Sequence, residues 1–523
     1  MRFASRLAAL FLIVLGGFTA NRAAGAEATD PPHHTLPDRA LAVGNRKQLF
    51  IDDRFLASSH NISLTANPAQ KLGPVMQSEK VPWELHPGFV GNVFEDGGKF
   101  KMYYGAYTPA GRALAYAESA DAIHWTRPRL GLVEVAGNRD NNLVMLDGGG
   151  KCPEIATVFL DDRDVPQRRY KLFVCVWSEP YDPKRDGVWA YVSRDGRDFQ
   201  EAGRVLPLTI DNPVNVQWDG RIGRYVIWTR ALIPGVENQR QIARIETLDP
   251  LKPWPYNTQA PDAKGRATPE HLKVVLKADD DLDPHSDLYY NNAIKYPWAQ
   301  DAYLMFITPF RHFSPGRQPF FRFKPGNDYG LVETQLAVSR DGIRWARPSR
   351  WPYFPMGLPD QWDRWMCTMG RGMIRCGNYL YQYYNSSGRT HDSGILRPEH
   401  DKLIELRNGI GAVRQRLDGF VSADADHRGG WLVTPPVVFE GRCLRLNIDT
   451  GAMGTAFVEI RDAQGRPIPG FTLAEAEEIG GNYADQRVYW KGKTDVSPLA
   501  GKPIRLYFRM TRAKLYAFQF ADE

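Results

Sequence analysis

Ser119-Ala-Asp-Ala-Ile-His-Trp125 recurs as Ser193-Arg-Asp-Gly-Arg-Asp-Phe199 and again as Ser339-Arg-Asp-Gly-Ile-Arg-Trp345. The first interval is 74 residues and the second 146, close to twice the first, so a weaker copy is expected between them. Ile242–Asp249 fills that place, and Leu417–Ser422 supplies a fifth copy. Each full copy follows an alternating segment such as Ala113–Ser119 or Thr334–Ser339. Upstream of each copy lies an aromatic strand: Phe100–Tyr104, Tyr170–Val174, Tyr225–Trp228, Tyr303–Ile307 or Tyr379–Tyr383. Physically, Ser-x-Asp-Gly-x-x-Trp is a turn. The Asp side chain caps the backbone, Gly takes positive φ, and Trp or Phe packs into the seam between neighbouring sheets. Five such multi-strand units predict an all-β fold, a five-bladed β-propeller. A set of β-sandwiches would not repeat the turn five times.

After about residue 425 the pattern changes. Leu444, Leu446 and Ile448 alternate, as do Ile504, Leu506, Phe508 and Met510, and Tyr516, Phe518 and Phe520. Gly465-Arg-Pro467 and Pro469-Gly470 punctuate these runs, so residues 426–523 are expected to form a β-sandwich. The propeller is expected over 71–425, preceded by an extension, 27–70, that packs on the propeller or the sandwich. Residues 1–26 have the layout of a secretory signal peptide. Arg2 and Arg6 precede the apolar run Leu7–Phe18, and Ala24-Gly25-Ala26 offers a small-residue cleavage site. A secreted or periplasmic protein follows, cleaved after Ala26.

Composition agrees. Of 523 residues, 43% are apolar and 24% charged, ordinary values for a globular chain, and no later run is long enough to span a bilayer. Aromatics at 12%, with 47 Gly and 38 Pro, favour short strands joined by turns over a helical bundle. The formal charge of +6 shrinks when the leader, with Arg2, Arg6 and Arg22 and no acids, is removed. What remains is 63 basic against 60 acidic side chains. Near-balance gives no support to nucleic acid or anionic membrane as partners. Cys152, Cys175, Cys367, Cys376 and Cys443 are an odd number, so at least one is unpaired. Cys367 and Cys376 could bridge neighbouring strands of one hairpin; most of the five read as small buried side chains.

A five-bladed propeller followed by a sandwich resembles glycoside hydrolase families 32, 43 and 68, the furanosidase clan. The resemblance rests on the blade motif and on Val458-Glu-Ile-Arg-Asp-Ala-Gln-Gly-Arg-Pro-Ile-Pro-Gly-Phe471, Trp490-Lys-Gly-Lys493 and Leu515-Tyr-Ala-Phe-Gln-Phe520. These look like segments of uncharacterised secreted bacterial proteins similar to family 32. The clan implies carboxylates on blades one, two and three. The stretch matching the family 32 nucleophile sequence is Trp83-Glu-Leu-His-Pro-Gly-Phe-Val-Gly-Asn92, which lacks the Asp. No Arg-Asp-Pro opens blade two and no Glu-Cys opens blade three, so the triad does not transfer.

The site must therefore be read from the chain itself. In a propeller the innermost strands start near a common axis, and those starts fall at Trp83–Asn92, Cys152–Thr157, Asp211–Val216, His285–Asn292 and Arg364–Thr368. A carboxylate beside a largely apolar strand is costly unless paired or wet, which singles out Glu154 and Asp287. Glycoside hydrolysis needs one protonated and one ionised carboxyl group. Glu154 and Asp287 are the expected catalytic pair, with Asp211 as a third carboxylate. Expected substrate contacts are Trp83, Glu84, His86, Asn215, Arg230, Tyr289, Tyr290, His312, Arg364 and His391. Each carboxylate reads equally well as a turn cap or ion-pair partner, Asp211 before Asn-Pro most readily. His312 and His391 also read as core or loop histidines, and Arg230 as the partner of an axial carboxylate.

The leading expectation is a secreted glycoside hydrolase acting on an oligo- or polysaccharide in the axial funnel. The alternatives are a non-catalytic carbohydrate-binding propeller that has lost the clan's triad, or a glycoside phosphorylase-like enzyme. Phosphorolysis would need a basic cluster, and only Arg364 and Arg371 sit near an inner strand. Neither a cofactor motif nor metal-ligand spacing occurs, although His and Asp near the axis leave room for a structural divalent cation. Oligomeric state has no signature in the chain.

Overall fold

The computed structural model describes residues 40–77, 81–210, 214–233, 240–259, 262–278, 286–312, 321–322, 330–391, 395–396 and 408–523. The expected signal peptide, 1–26, and Asp211 lie outside the described residues.

Four sheets carry the five blades, the fourth and fifth being joined into one where Val332 pairs with Met366. Blade one runs from the inner strand His86–Asp96 through Lys99–Thr108 and Gly111–Ser119 to Leu143–Leu146. Blade two is Thr157–Leu160, Tyr170–Val176, Gly187–Ser193 and Gln200–Leu206, and blade three Asn215–Asp219, Arg224–Leu232, Arg240–Thr247 and Lys273–Leu276. Blade four is built on Ser286–Lys295, Tyr303–His312 and Gln335–Ser339. Blade five is Met366–Met369, Tyr379–Ser387 and Gly409–Arg416, completed on its outer edge by Gln70–Gln77 from the front of the chain. That last pairing closes the ring with a strand remote in sequence. All five aromatic segments quoted above are second strands.

The turn motif works as its chemistry demands. Ser119 Oγ accepts from the Asp121 and Ala122 amides, and Asp121 Oδ1 from those of Ile123 and His124, at 2.8–3.2 Å. Ser193–Asp195 and Ser339–Asp341 repeat the pattern, with Gly196 and Gly342 at φ 77° and 69°. Here glycine is needed twice over. A Cβ on Gly196 would lie 2.3 Å from the Tyr103 hydroxyl of blade one, in a seam where that hydroxyl donates to the Gly196 carbonyl at 2.7 Å. Tyr383 of blade five donates to the Ala122 carbonyl of blade one at 2.6 Å, and Trp125 packs edge-on against Tyr383. Each turn thus keys onto the blade before it. The weaker copy at blade three keeps the chemistry, with Thr247 Oγ1 accepting from the Asp249 amide and Asp249 Oδ1 from that of Leu251.

Inner strands are stitched to one another around the axis. Thr157 Oγ1 donates to the Val214 carbonyl, Gln217 to that of Ala293, and the Val93 amide to that of Arg371. Asn215 reaches the Ala293 carbonyl and Asn292 that of Met369.

Among the described residues, eleven further strands form one sheet folded into two layers. Its hinge is the 20-residue strand Cys443–Asp462, whose first half pairs with Ala513–Ala521 and second half with Ile504–Thr511. Phe50, Phe55, Leu444, Val458, Trp490, Phe508 and Phe518 fill the space between the layers. Short strands from Leu41–Ala66 add to this sheet, and Val421–Ala425 pairs within it rather than in blade five.

All five cysteines are free thiols. Cys367 faces Ser386 while Cys376 faces Tyr379 on the same second strand, seven residues apart, so register rules out the bridge considered above. Among the described residues no helix is long and apolar enough to cross a membrane.

Candidate functional site

Where the inner strands of blades one, four and five begin, a cleft of about 570 Å³ opens. His86 and Phe89 form one side of it, Tyr107 and Tyr289 another, and Asn385 to His391 the rim. His86 stacks obliquely on Tyr107 with ring centres 4.4 Å apart, and burial lowers its pKa. Tyr289 donates to or accepts from His391 Nε2 at 2.9 Å, and its ring meets Tyr290 edge-on at 4.5 Å.

Two carboxylates stand at inner-strand starts in this region. Glu154 sits in a single turn, Pro153–Ile155, just ahead of the inner strand of blade two, with its side chain 6% exposed. Arg112 Nη1 donates to Oε1 at 2.6 Å and its Nη2 to Asp147 at 3.1 Å. Oε2 is buried and accepts no hydrogen bond. Burial pushes the carboxyl above the ordinary glutamate range, and Arg112 offsets only part of that. The charge of Glu154 in turn helps burial raise the Tyr107 phenol, which ties the carboxylate to the cleft wall.

Gly105 makes this turn possible. A Cβ there would fall 2.4 Å from the Glu154 carbonyl oxygen, a backbone atom with little freedom to move. Gly105→Ala is expected to cost about 1–3 kcal/mol through overpacking and to displace the Glu154 carboxyl. Denaturant unfolding together with turnover checks this; an unchanged protein would show that the turn is set elsewhere.

Asp287 begins the inner strand of blade four and is 1% exposed. Arg240 Nη1 donates to Oδ2 at 2.7 Å, and His312 Nε2 lies 3.3 Å from the same oxygen. Oδ1 is buried without a hydrogen bond, as Glu154 Oε2 is. The Arg240 and Arg230 guanidinium groups lie 5.0 and 4.9 Å from the Tyr289 ring centre, where the ring face is negative. Arg230 also donates to the Tyr289 carbonyl at 2.7 Å, which helps to position the ring.

Deeper on the axis, Arg371 is 4% exposed. It donates to Asn92 Oδ1 at 3.3 Å and to the Ala156 carbonyl at 3.1 Å. Burial lowers its pKa to about 9, which leaves it cationic at neutral pH. Tyr290 faces the same group. A divalent cation beside this guanidinium would be repelled, and among the described residues no three His, Cys, Asp or Glu side chains gather for a metal ion.

Several sequence-predicted residues serve the scaffold instead. Glu84 is buried between Arg127 Nη2 at 3.0 Å and the Tyr104 hydroxyl at 2.8 Å, inside blade one. Trp83 donates to Asn142 Oδ1 at 2.9 Å and packs on the core shared by blades one and five. Asn215 spans inner strands, as above. Arg364 donates to the Gly388 carbonyl at 3.0 Å and so holds the rim from beneath. His86, Tyr289 and His391 line the cleft, Tyr290 packs edge-on against Tyr289, and His312 faces Asp287. Sequence reasoning missed Arg112, Arg240, Tyr107 and Arg389. Arg112 opens a third strand beside the hairpin glycine Gly111, a position with no motif of its own.

No family model matches the sequence, and no curated protein matches it. Solved structures do resemble it. The complex of BT0996 with RGII is 15% identical, with a TM-score of 0.44 over 67% of this protein and 92% of that one. A thermostable family-43 glycoside hydrolase is 14% identical, with a TM-score of 0.40 over 68% and 95%. The GH32 beta-fructofuranosidase BmSUC1 from Bombyx mori is 9% identical, with a TM-score of 0.37 over 88% and 95%. Likeness at this level assigns neither a reaction nor a residue.

Proposed function

We propose that this protein is an exported glycoside hydrolase that cleaves an oligo- or polysaccharide with Glu154 and Asp287. One observation carries the reading. Each carboxylate is anchored by an arginine through one oxygen, while its other oxygen is buried with no hydrogen bond. An unsatisfied buried carboxylate oxygen costs free energy, and a substrate hydroxyl or glycosidic oxygen would remove that cost.

The two environments favour different roles. Burial raises the Glu154 pKa, which suits it to hold a proton on Oε2 and give it to the leaving oxygen. Arg240 holds Asp287 Oδ2 at 2.7 Å, which leaves Oδ1 to attack the anomeric carbon or take a proton from water. Tyr107, Tyr289 and Phe89 supply flat faces for a ring, and Asn385, Ser386 and Ser387 supply hydroxyl partners.

A screen of plant and algal glycans for new reducing ends tests this, with wild type beside Glu154→Gln and Asp287→Asn. Cleavage by wild type alone is the expected result. Binding without cleavage by all three proteins would establish the second reading, a carbohydrate-binding propeller. That reading is favoured by the ion pairs that each carboxylate already makes.

A further inference from the structure

Arg389 lies on the rim of the cleft and is exposed, and its backbone amide donates to Ser387 Oγ at 3.2 Å. Among the described residues no carboxylate pairs with its guanidinium. Nor does any described residue lining the cleft carry an acid: the ionisable groups there are Arg389, His86, His391 and two tyrosines. Glu154 and Asp287 each have an arginine of their own, at 2.6 and 2.7 Å, so neither neutralises the rim. The Arg389 charge is felt across the opening, where it works with burial to lower the His86 pKa. Deeper on the axis, Arg371 adds a second cation whose hydrogen bonds go to an amide and a carbonyl rather than an acid.

A neutral sugar would use the aromatic walls and the hydroxyl partners and make no ion pair with Arg389. Resting on the hydrolase reading above, we propose that the cleft takes a glycan with an anionic substituent, a uronate carboxylate or a sulfate ester, held by Arg389 at the rim. Both are oxyanions that accept paired hydrogen bonds from a planar guanidinium, and such charge-assisted bonds are stronger than neutral ones. An acid group held at the rim meets no carboxylate among the described residues that line the opening.

The test separates binding from turnover by using the full-length Glu154→Gln protein, which retains Arg389. Titration calorimetry at low salt compares oligogalacturonate with its methyl ester, and a sulfated galactan with the same galactan after desulfation. The acidic member of one pair is expected to bind at least about tenfold more tightly, and the pair that shows this identifies the substituent. In Glu154→Gln/Arg389→Gln the ratio is expected to fall towards one. In Glu154→Gln/Arg224→Gln, which alters an exposed arginine on the hairpin at the opposite end of blade three, it is expected to persist. Equal affinities within both pairs, or a ratio unchanged by Arg389→Gln, would overturn the proposal. If glycans bind with this preference but wild type cleaves none, the hydrolase reading fails while the anionic ligand stands.

Discussion

Glu154→Gln is expected to lower turnover of the cleaved glycan about 10³-fold, equivalent to about 4 kcal/mol of transition-state stabilisation. The amide keeps an oxygen for Arg112, which holds Glu154 at 2.6 Å, so the turn and the ion-pair geometry are largely preserved. What is lost is the proton on Oε2. Because burial raises this carboxyl above its ordinary range, the protonated, active form persists to a higher pH than for an exposed glutamate. Activity is therefore expected to fall as pH rises through the raised pKa. In the variant, the residual rate should lose that alkaline limb. Stability moves in a linked way. With the folded pKa above the unfolded one, the folded chain binds more protons between the two values, and Glu154 contributes less stability as pH rises through that interval. Glu154→Gln should thus gain on wild type in unfolding free energy as pH increases from about 4.3 upward. A turnover loss below tenfold, with the alkaline limb intact, would remove Glu154 from the acid role.

The second large effect is structural. Lys171, on the second strand of blade two, has a side chain 1% exposed and meets the equally buried Asp161 at 2.8 Å. It also donates to the Arg168 carbonyl at 3.0 Å and pairs with Asp164 at 3.0 Å. Asp161 Oδ2 in turn accepts from the Tyr225 hydroxyl of blade three at 2.8 Å, so this pair bonds one blade to the next. Lys171→Met preserves much of the apolar stem but strands a buried carboxylate, which is expected to cost about 3–5 kcal/mol in denaturant unfolding. Lys171→Met/Asp161→Asn should recover part of the loss, since the penalty comes from the unpaired charge. A cost under about 1 kcal/mol for the single variant would mean that water reaches the pair.

Much of the fold was legible because its information is local. Ser119 and Asp121 make their turn with amides two and three residues away, so their spacing survives in the linear chain. Even the degenerate copy at Thr247 and Asp249 keeps the same reach. The burial of Glu154 and Asp287 was legible for a related reason: an acid placed against an apolar inner strand violates the local pattern. Trp83 and Glu84 were misleading neighbours of the same strand. They precede its first residue, His86, and Arg127 and Asn142 draw them into blade one and away from the cleft. The basic character of the opening was underestimated, because Arg112, Arg240 and Arg389 enter from third strands and the rim rather than from inner strands.

By itself, then, the sequence determined the all-β character, the fivefold repeat and the sandwich after it, since each depends on contacts within a few residues. Only the tertiary structure decided that Gln70–Gln77 closes blade five and that the cysteines stay apart. Only it showed that an arginine holds one oxygen of each carboxylate and leaves the other bare. Those features pair residues tens to hundreds of positions apart. Closure of the ring brings them together, and no local spacing records it.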